Sequence, residues 1–237
     1  MSLPKINTPE YRLTVPSTDE EITYRPFLVK EEKLLLIASE TEDEEATFKA
    51  IRNIIEGCCL TGNIDLDKMP LFDMEYIFLN IRAKSVGEVA KIKVTCPDDE
   101  KTQVDVEVDL TKINVVMEED HDPRIQLTDN IGVLMSYPSM ATVGLAQTLK
   151  KGEATSALFE TIANCLYQIW EGEEVHDAMD YSLKDKMAFL ESLNHTQFEM
   201  IQKFFETMPT VKHDIEVTNP VTKVTSTMTL QGMNSFF

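Results

Sequence analysis

The chain predicts an α+β fold made of two pseudo-repeated modules, each of helices plus antiparallel β-hairpins. Three observations predict it. ATFKAIRNIIEGCCL (46–60) meets ALFETIANCLYQIWE (157–171) at a constant offset of 111, with apolar residues falling on one helical stripe in both. IKVTCPDDEKT (92–102) meets IEVTNPVTKVT (215–225) at an offset of 123, sharing Ile, Val, Thr, Pro and a later Thr. Between these, Val104, Val106, Val108 and Leu110 alternate strictly with Asp105, Glu107 and Asp109, the mark of a strand with one buried and one wet face. The two matches come in the same order. The larger second offset places about a dozen extra residues in the second copy.

Within the first copy, 11–29 reads as a hairpin: Leu13 and Val15 alternate, Pro16-Ser-Thr-Asp turns, and Ile22 and Tyr24 resume. Pro26 should end its second strand. VKEEKLLLIASE (29–40) predicts a helix with acid early and no breaker, and 46–60 predicts a second. Asp73 should cap a third through Ser85, with Met74, Ile77, Phe78 and Ile81 inward. VAKIKVTCPDDEKTQVDVEVDL (89–110) closes the module as a hairpin turning at Pro97-Asp98-Asp99. The partition is 1–112 for the first module, an acidic linker at 113–123, and 124–237 for the second, standing apart or packed as one domain.

Residues 124–140 repeat the opening hairpin, with Asp129-Asn130 at the turn and Tyr137-Pro138 at the end. Helices follow over 139–151 and 157–170. Ser182-Leu-Lys-Asp185 resembles a capping box, and Thr196-Gln-Phe-Glu199 should open a helix with Phe198, Ile201, Phe204 and Phe205 inward and Pro209 as its stop. The C-terminal hairpin (213–233) bends at Asn219-Pro220, and Phe236 and Phe237 should dock on the body or on another subunit.

The chain has 237 residues and a net charge of −19, clustered at 40–45, 98–100, 118–122 and 171–174. Nucleic-acid binding rests on phosphate neutralisation by Lys and Arg, which this composition does not supply. An acidic face suits a basic protein partner. No apolar run spans a bilayer, and the N-terminus has no signal-peptide design. Cys58, Cys59, Cys96 and Cys165 form no disulfide-like pattern, which fits synthesis in a reducing compartment. Gly-rich phosphate loops, GxSxG and HExxH are absent, and the histidines at 121, 176, 195 and 213 are scattered, so no enzyme is expected. Cys96-Pro-Asp-Asp99 occupies a bend where a zinc ribbon would place CPxC, but Asp99 and Asn219 stand where further ligands belong. Eight of the twelve methionines lie beyond residue 130, a composition suited to a pliable interface in the second half.

Three phrases carry a family resemblance: LPKINTPEYRLTVPST…ITYRPFLVKEEKLLLIA, FLNIRAKSVGEV…IKVTCP (78–97) and the closing TLQGMNSFF. They resemble the T-even-like phage baseplate hub assembly proteins of contractile-tailed phages. The similarity runs through most of the chain and is firmest over 3–38 and 72–110. It implies a viral tail protein that assembles the central hub of the baseplate, in the host cytoplasm, or is retained in that hub. Other hub and tail proteins would be its partners, self-association is left open, and no cofactor or catalytic residue is implied. The resemblance also implies, for some relatives, more Cys in the hairpin bends, suggestive of zinc, a pattern broken here at Asp99 and Asn219. Candidate partner contacts are the hairpin tip Asp98, Asp99 and Glu100 and the tail Phe236 and Phe237. The alternative is a zinc- or thiol-dependent protein-binding module built on the four cysteines.

Overall fold

Alternation and turn chemistry set the first hairpin: β1 (Tyr11–Thr14) pairs antiparallel with β2 (Glu21–Tyr24), Tyr11 opposite Tyr24. The computed structural model describes residues 7–41, 44–61, 64–142, 154–232 and 235. By contacts, the described residues form two compact units. One comprises Met1–Asp65, Phe72–Val116 and Thr210–Phe237; the other comprises Leu66–Leu71 and Met117–Pro209.

In the first unit, α1 (Val29–Thr41) packs beside α2 (Glu44–Cys58). Ala50, Ile51, Ile54, Ile55 and Cys58 recur at helical spacing and are buried, as one apolar stripe requires. The start of α1 is tied to the end of α2 by a nearly buried ion pair. Arg25 Nη2 donates to Glu31 Oε1 (2.9 Å) and to the Gly57 carbonyl (2.6 Å), and the Leu28 amide donates to Glu31 Oε2 (2.8 Å). Gly57 suits this place, because a Cβ there would come within 3.2 Å of Glu31 Oε1, a tight contact with the carboxylate that Arg25 holds.

Helix α3 (Leu71–Val86) begins two residues before the expected cap. Asp73 is fully buried in its first turn and accepts the Ser17 amide (3.2 Å) and hydroxyl, so it ties α3 to the first hairpin instead of capping. Strands β3 (Val89–Thr95) and β4 (Gln103–Asp109) pair over seven positions. Beyond them β5 (Asn114–Val116) takes up β10 (Thr210–Thr218), which pairs in turn with β11 (Thr225–Gln231). Leu79, Ile92, Val94, Cys96, Val108, Val211, Ile215 and Leu230 close one core over these sheets. Burial of each aliphatic side chain contributes about 1.5–3 kcal/mol.

The second unit is a four-stranded antiparallel sheet: β6 (Arg124–Gln126), β7 (Ile131–Met135), β8 (Leu166–Glu171) and β9 (Glu174–Asp177), in that order. Helices α4 (Ala154–Cys165), α5 (Leu183–Glu191) and α6 (His195–Thr207) supply Ile162, Leu190, Ile201 and Phe204 to its core. The Ser182–Asp185 capping box forms as expected. The next helix starts earlier than expected, on a box between Asn194 and Gln197. His121 is held against α6. Thr207 spends its proton on the Lys203 carbonyl (2.9 Å), so its oxygen accepts from Nδ1 (2.9 Å), leaving Nε2 to accept the Tyr137 hydroxyl (3.0 Å). The imidazole also stacks against Tyr137 and lies 5.1 Å from the Phe204 ring.

The fold class is α+β, with strands in small antiparallel sheets. The matched helical stretches diverge, however. The first is helical through Cys58, whereas the second leaves the helix at Cys165 and continues as β8. Leu166, Tyr167, Ile169 and Trp170 satisfy both a helical and an extended reading, and pairing with β7 decides it. The contacts also differ from the expected partition: the C-terminal hairpin belongs to the first unit, and residues 114–116 of the expected linker are a strand of it. The helix expected over 139–151 falls mostly outside the described residues.

Candidate protein-docking site

Two residues, Gly172 and Glu173, connect β8 to β9. Gly172 has φ +63°, the left-handed conformation that a two-residue hairpin needs at its first turn position. The hairpin carries Ile169 and His176, directly opposite each other, onto the face covered by α5. Between this hairpin and α5 lies a pocket of about 500 Å3. Ile131, Ile169, Ala178 and Phe189 give it an apolar lining; Glu171, His176, Tyr181, Asp185, Lys186 and Ser192 supply polar groups.

The polar groups are mostly engaged. His176 Nδ1 meets the Tyr181 hydroxyl at 2.9 Å, with the rings edge to face. Asp185 accepts the Ser182 hydroxyl (2.5 Å) and amide (3.2 Å), which holds its carboxyl below the usual range. Lys186 reaches Asn164 Oδ1 at 3.4 Å, and burial lowers its pKa. The Ser192 hydroxyl donates to the Phe189 carbonyl. Glu171 stays exposed beside the turn.

The surroundings are apolar and wet. Strand β9 is the edge of its sheet among the described residues, so one side of its backbone lacks a strand partner. Val175 is 60 % and Met179 81 % exposed, and Tyr181 and Leu183 are exposed as well. An aliphatic and aromatic cluster beside a pocket and a sheet edge is what a protein-binding surface presents. Sequence reasoning missed this hairpin because it ran the helix to residue 170. The signal was present in Glu171-Gly172-Glu173-Glu174, a glycine turn flanked by Ile169, Trp170 and Val175.

The residues singled out from sequence lie elsewhere. Asp98 accepts both contacts of Asn219 Nδ2 (3.0 and 3.1 Å) and the Thr222 hydroxyl (2.5 Å), which lower its pKa. Asp99 accepts the Thr102 hydroxyl (2.6 Å) and the Thr102 and Lys101 amides, and is likewise held well below the carboxylate range. Both carboxylates therefore have an internal task. Glu100 is exposed and makes no side-chain hydrogen bond among the described residues. Phe236 and Phe237 lie outside the described residues.

The cysteines are not gathered as the thiol reading requires. Cys96 lies in the core of the first unit and Cys165 in that of the second. Burial pushes the thiols up, to about 11 at Cys58 and about 12 at Cys59 and Cys165, so they are protonated near neutral pH. Among the described residues no three His, Cys, Asp or Glu side chains group as metal ligands would. No described helix is long and apolar enough to cross a membrane.

No curated protein and no solved structure matches the chain. A family model does match, described as T4 bacteriophage base plate protein, and it covers residues 8–237. With nearly the whole sequence inside that match, and an α+β body whose cleft and rim suit another protein, this chain belongs to the T4 bacteriophage base plate protein family.

Proposed function

We propose that this chain is a non-enzymatic tail protein that assembles, or forms part of, the central hub of the baseplate through protein–protein contacts. The observation that carries the reading is the pocket between β8–β9 and α5, open beside a sheet edge that has no strand partner among the described residues and ringed by exposed Val175, Met179, Tyr181 and Leu183. A partner strand laid along β9 would gain main-chain hydrogen bonds and place an apolar side chain in the pocket. Its partners are other hub and tail proteins, met in the host cytoplasm as the baseplate is built. The charge of −19 favours basic ones, and charge complementarity would raise the rate of encounter. The exposed Glu100 and the tail Phe236 and Phe237 are secondary contact candidates.

The test is a phage carrying Val175→Asp with Met179→Asp. Both side chains are mostly exposed, so the isolated protein should keep its circular dichroism and melting profile. The reading predicts tails with incomplete or missing hubs. Complete baseplates at normal yield from a folded double variant would remove the pocket rim as the contact surface.

A further inference from the structure

Helix α1 carries two apolar faces. Glu31, Leu35 and Ala38 turn toward its own unit; Glu31 and Ala38 are buried and Leu35 half-buried. Half a revolution away, Val29, Lys33, Leu36, Ile37 and Glu40 recur at i, i+4, i+7, i+8 and i+11, and all are exposed. Val29 is 79 %, Leu36 59 % and Ile37 49 % exposed. A surface helix serving a single core would place polar groups along that second stripe.

The charges on the stripe are arranged symmetrically. Lys33 precedes the midpoint between Leu36 and Ile37 by the same interval by which Glu40 follows it. The two lie about 10 Å apart along the axis, too far to pair with each other. Neither makes an ion pair among the described residues; Lys30, their neighbour, does, with Glu31. Rotating a second helix antiparallel about an axis through that midpoint sets Leu36 of one copy against Ile37 of the other. The same rotation sets Lys33 against Glu40 twice. Apolar and charged groups are thus both self-complementary under one two-fold operation, the condition for an isologous contact.

We propose that α1 pairs antiparallel with α1 of a second copy of this chain, centred between Leu36 and Ile37. A single helix pair covers less than the ~800 Å2 per partner of a standard interface, so the dimer is concentration-dependent and not obligate. The pairing stands apart from the hub reading, since it involves only the chain itself.

Sedimentation equilibrium of the full chain over a concentration series, at about 0.15 M salt, tests it. Wild type should show a monomer–dimer equilibrium. Lys33→Glu or Glu40→Lys alone creates two like-charge contacts and should lower the association constant about tenfold or more. Lys33→Glu with Glu40→Lys should restore it. Wild type that is monomeric throughout, or single variants that associate like wild type, would overturn the proposal. Should a swap unfold the chain, Lys33→Cys with Glu40→Cys decides: mild oxidation should give a covalent dimer beyond the wild-type background. The pair is too widely spaced to close within one helix. No excess dimer would contradict the antiparallel register.

Discussion

Gly132 and Trp170 face each other across β7 and β8, and their fit leaves no room for a methyl group. A Cβ on Gly132 would fall 2.1 Å from Trp170 Cζ2 and 2.7 Å from the Ile125 carbonyl. The Arg124 guanidinium lies over the same indole at 4.4 Å. Gly132→Ala should therefore cost about 1–3 kcal/mol through overpacking. Trp170 is the one tryptophan of the chain, so its fluorescence reports the second unit and should show the lowered melting temperature. His121 gives that unit a pH dependence. Burial lowers its pKa from the ordinary value, against the opposing pull of Asp120 and Asp122. The folded state thus binds the proton less readily than the unfolded state. Stability is full above about pH 6.5 and declines as the pH falls through the folded pKa. Melting followed at Trp170 should show that decline, and His121→Phe should flatten it. None of this was legible in the sequence, where His121 sits in an acidic, turn-like run and its partners Tyr137 and Thr207 are distant.

At the scale of elements, the two long hairpins meet turn to turn. Glu100 (φ 54°) and Lys223 (φ 66°) hold the same left-handed place in the two bends. Each donates its amide to the residue four before it, Cys96 at 3.0 Å and Asn219 at 2.9 Å. The alignment of 92–102 with 215–225 thus captured a shared turn geometry. It could not show that both turns belong to one unit. Fully buried Asn219 joins them: its Oδ1 accepts the Val221 amide (2.8 Å), while its Nδ2 donates to Asp98. Asn219→Ala removes these bonds from a buried site and should cost about 1–3 kcal/mol. A urea unfolding midpoint lowered without change in slope would register it. Because Asp98 has a lowered folded pKa, its part in the tie is present above the ordinary carboxylate range and lost as the pH falls below about 4. The hairpins were legible because alternation and turn residues are local signals. The end of α4 was not, because the same apolar residues fit either period until β7 chooses. Asp73 read as a cap because a carboxylate near a helix start is common there. Its partner Ser17, 56 positions away, was invisible.

For the whole molecule, the decisive contacts are non-local. The chain leaves the first unit at β5 and re-enters at β10, where Thr210 pairs with Val116 and Lys212 with Asn114. Residues 117–209 are therefore spliced between two paired strands, which a reading along the sequence renders as two consecutive modules. As a member of the T4 bacteriophage base plate protein family, the chain belongs to the virion tail, among other tail proteins. The pocket in the second unit and the outer stripe of α1 are the two surfaces we propose for contacts, the first with a different protein and the second with another copy of the chain. Cross-linking mass spectrometry of purified baseplates tests the central claim most directly. The account predicts links from Glu174 or Lys184, at the pocket rim, to another hub protein. Baseplates that contain the chain but yield no intermolecular link from residues 171–186, while other parts of it do cross-link, would contradict it.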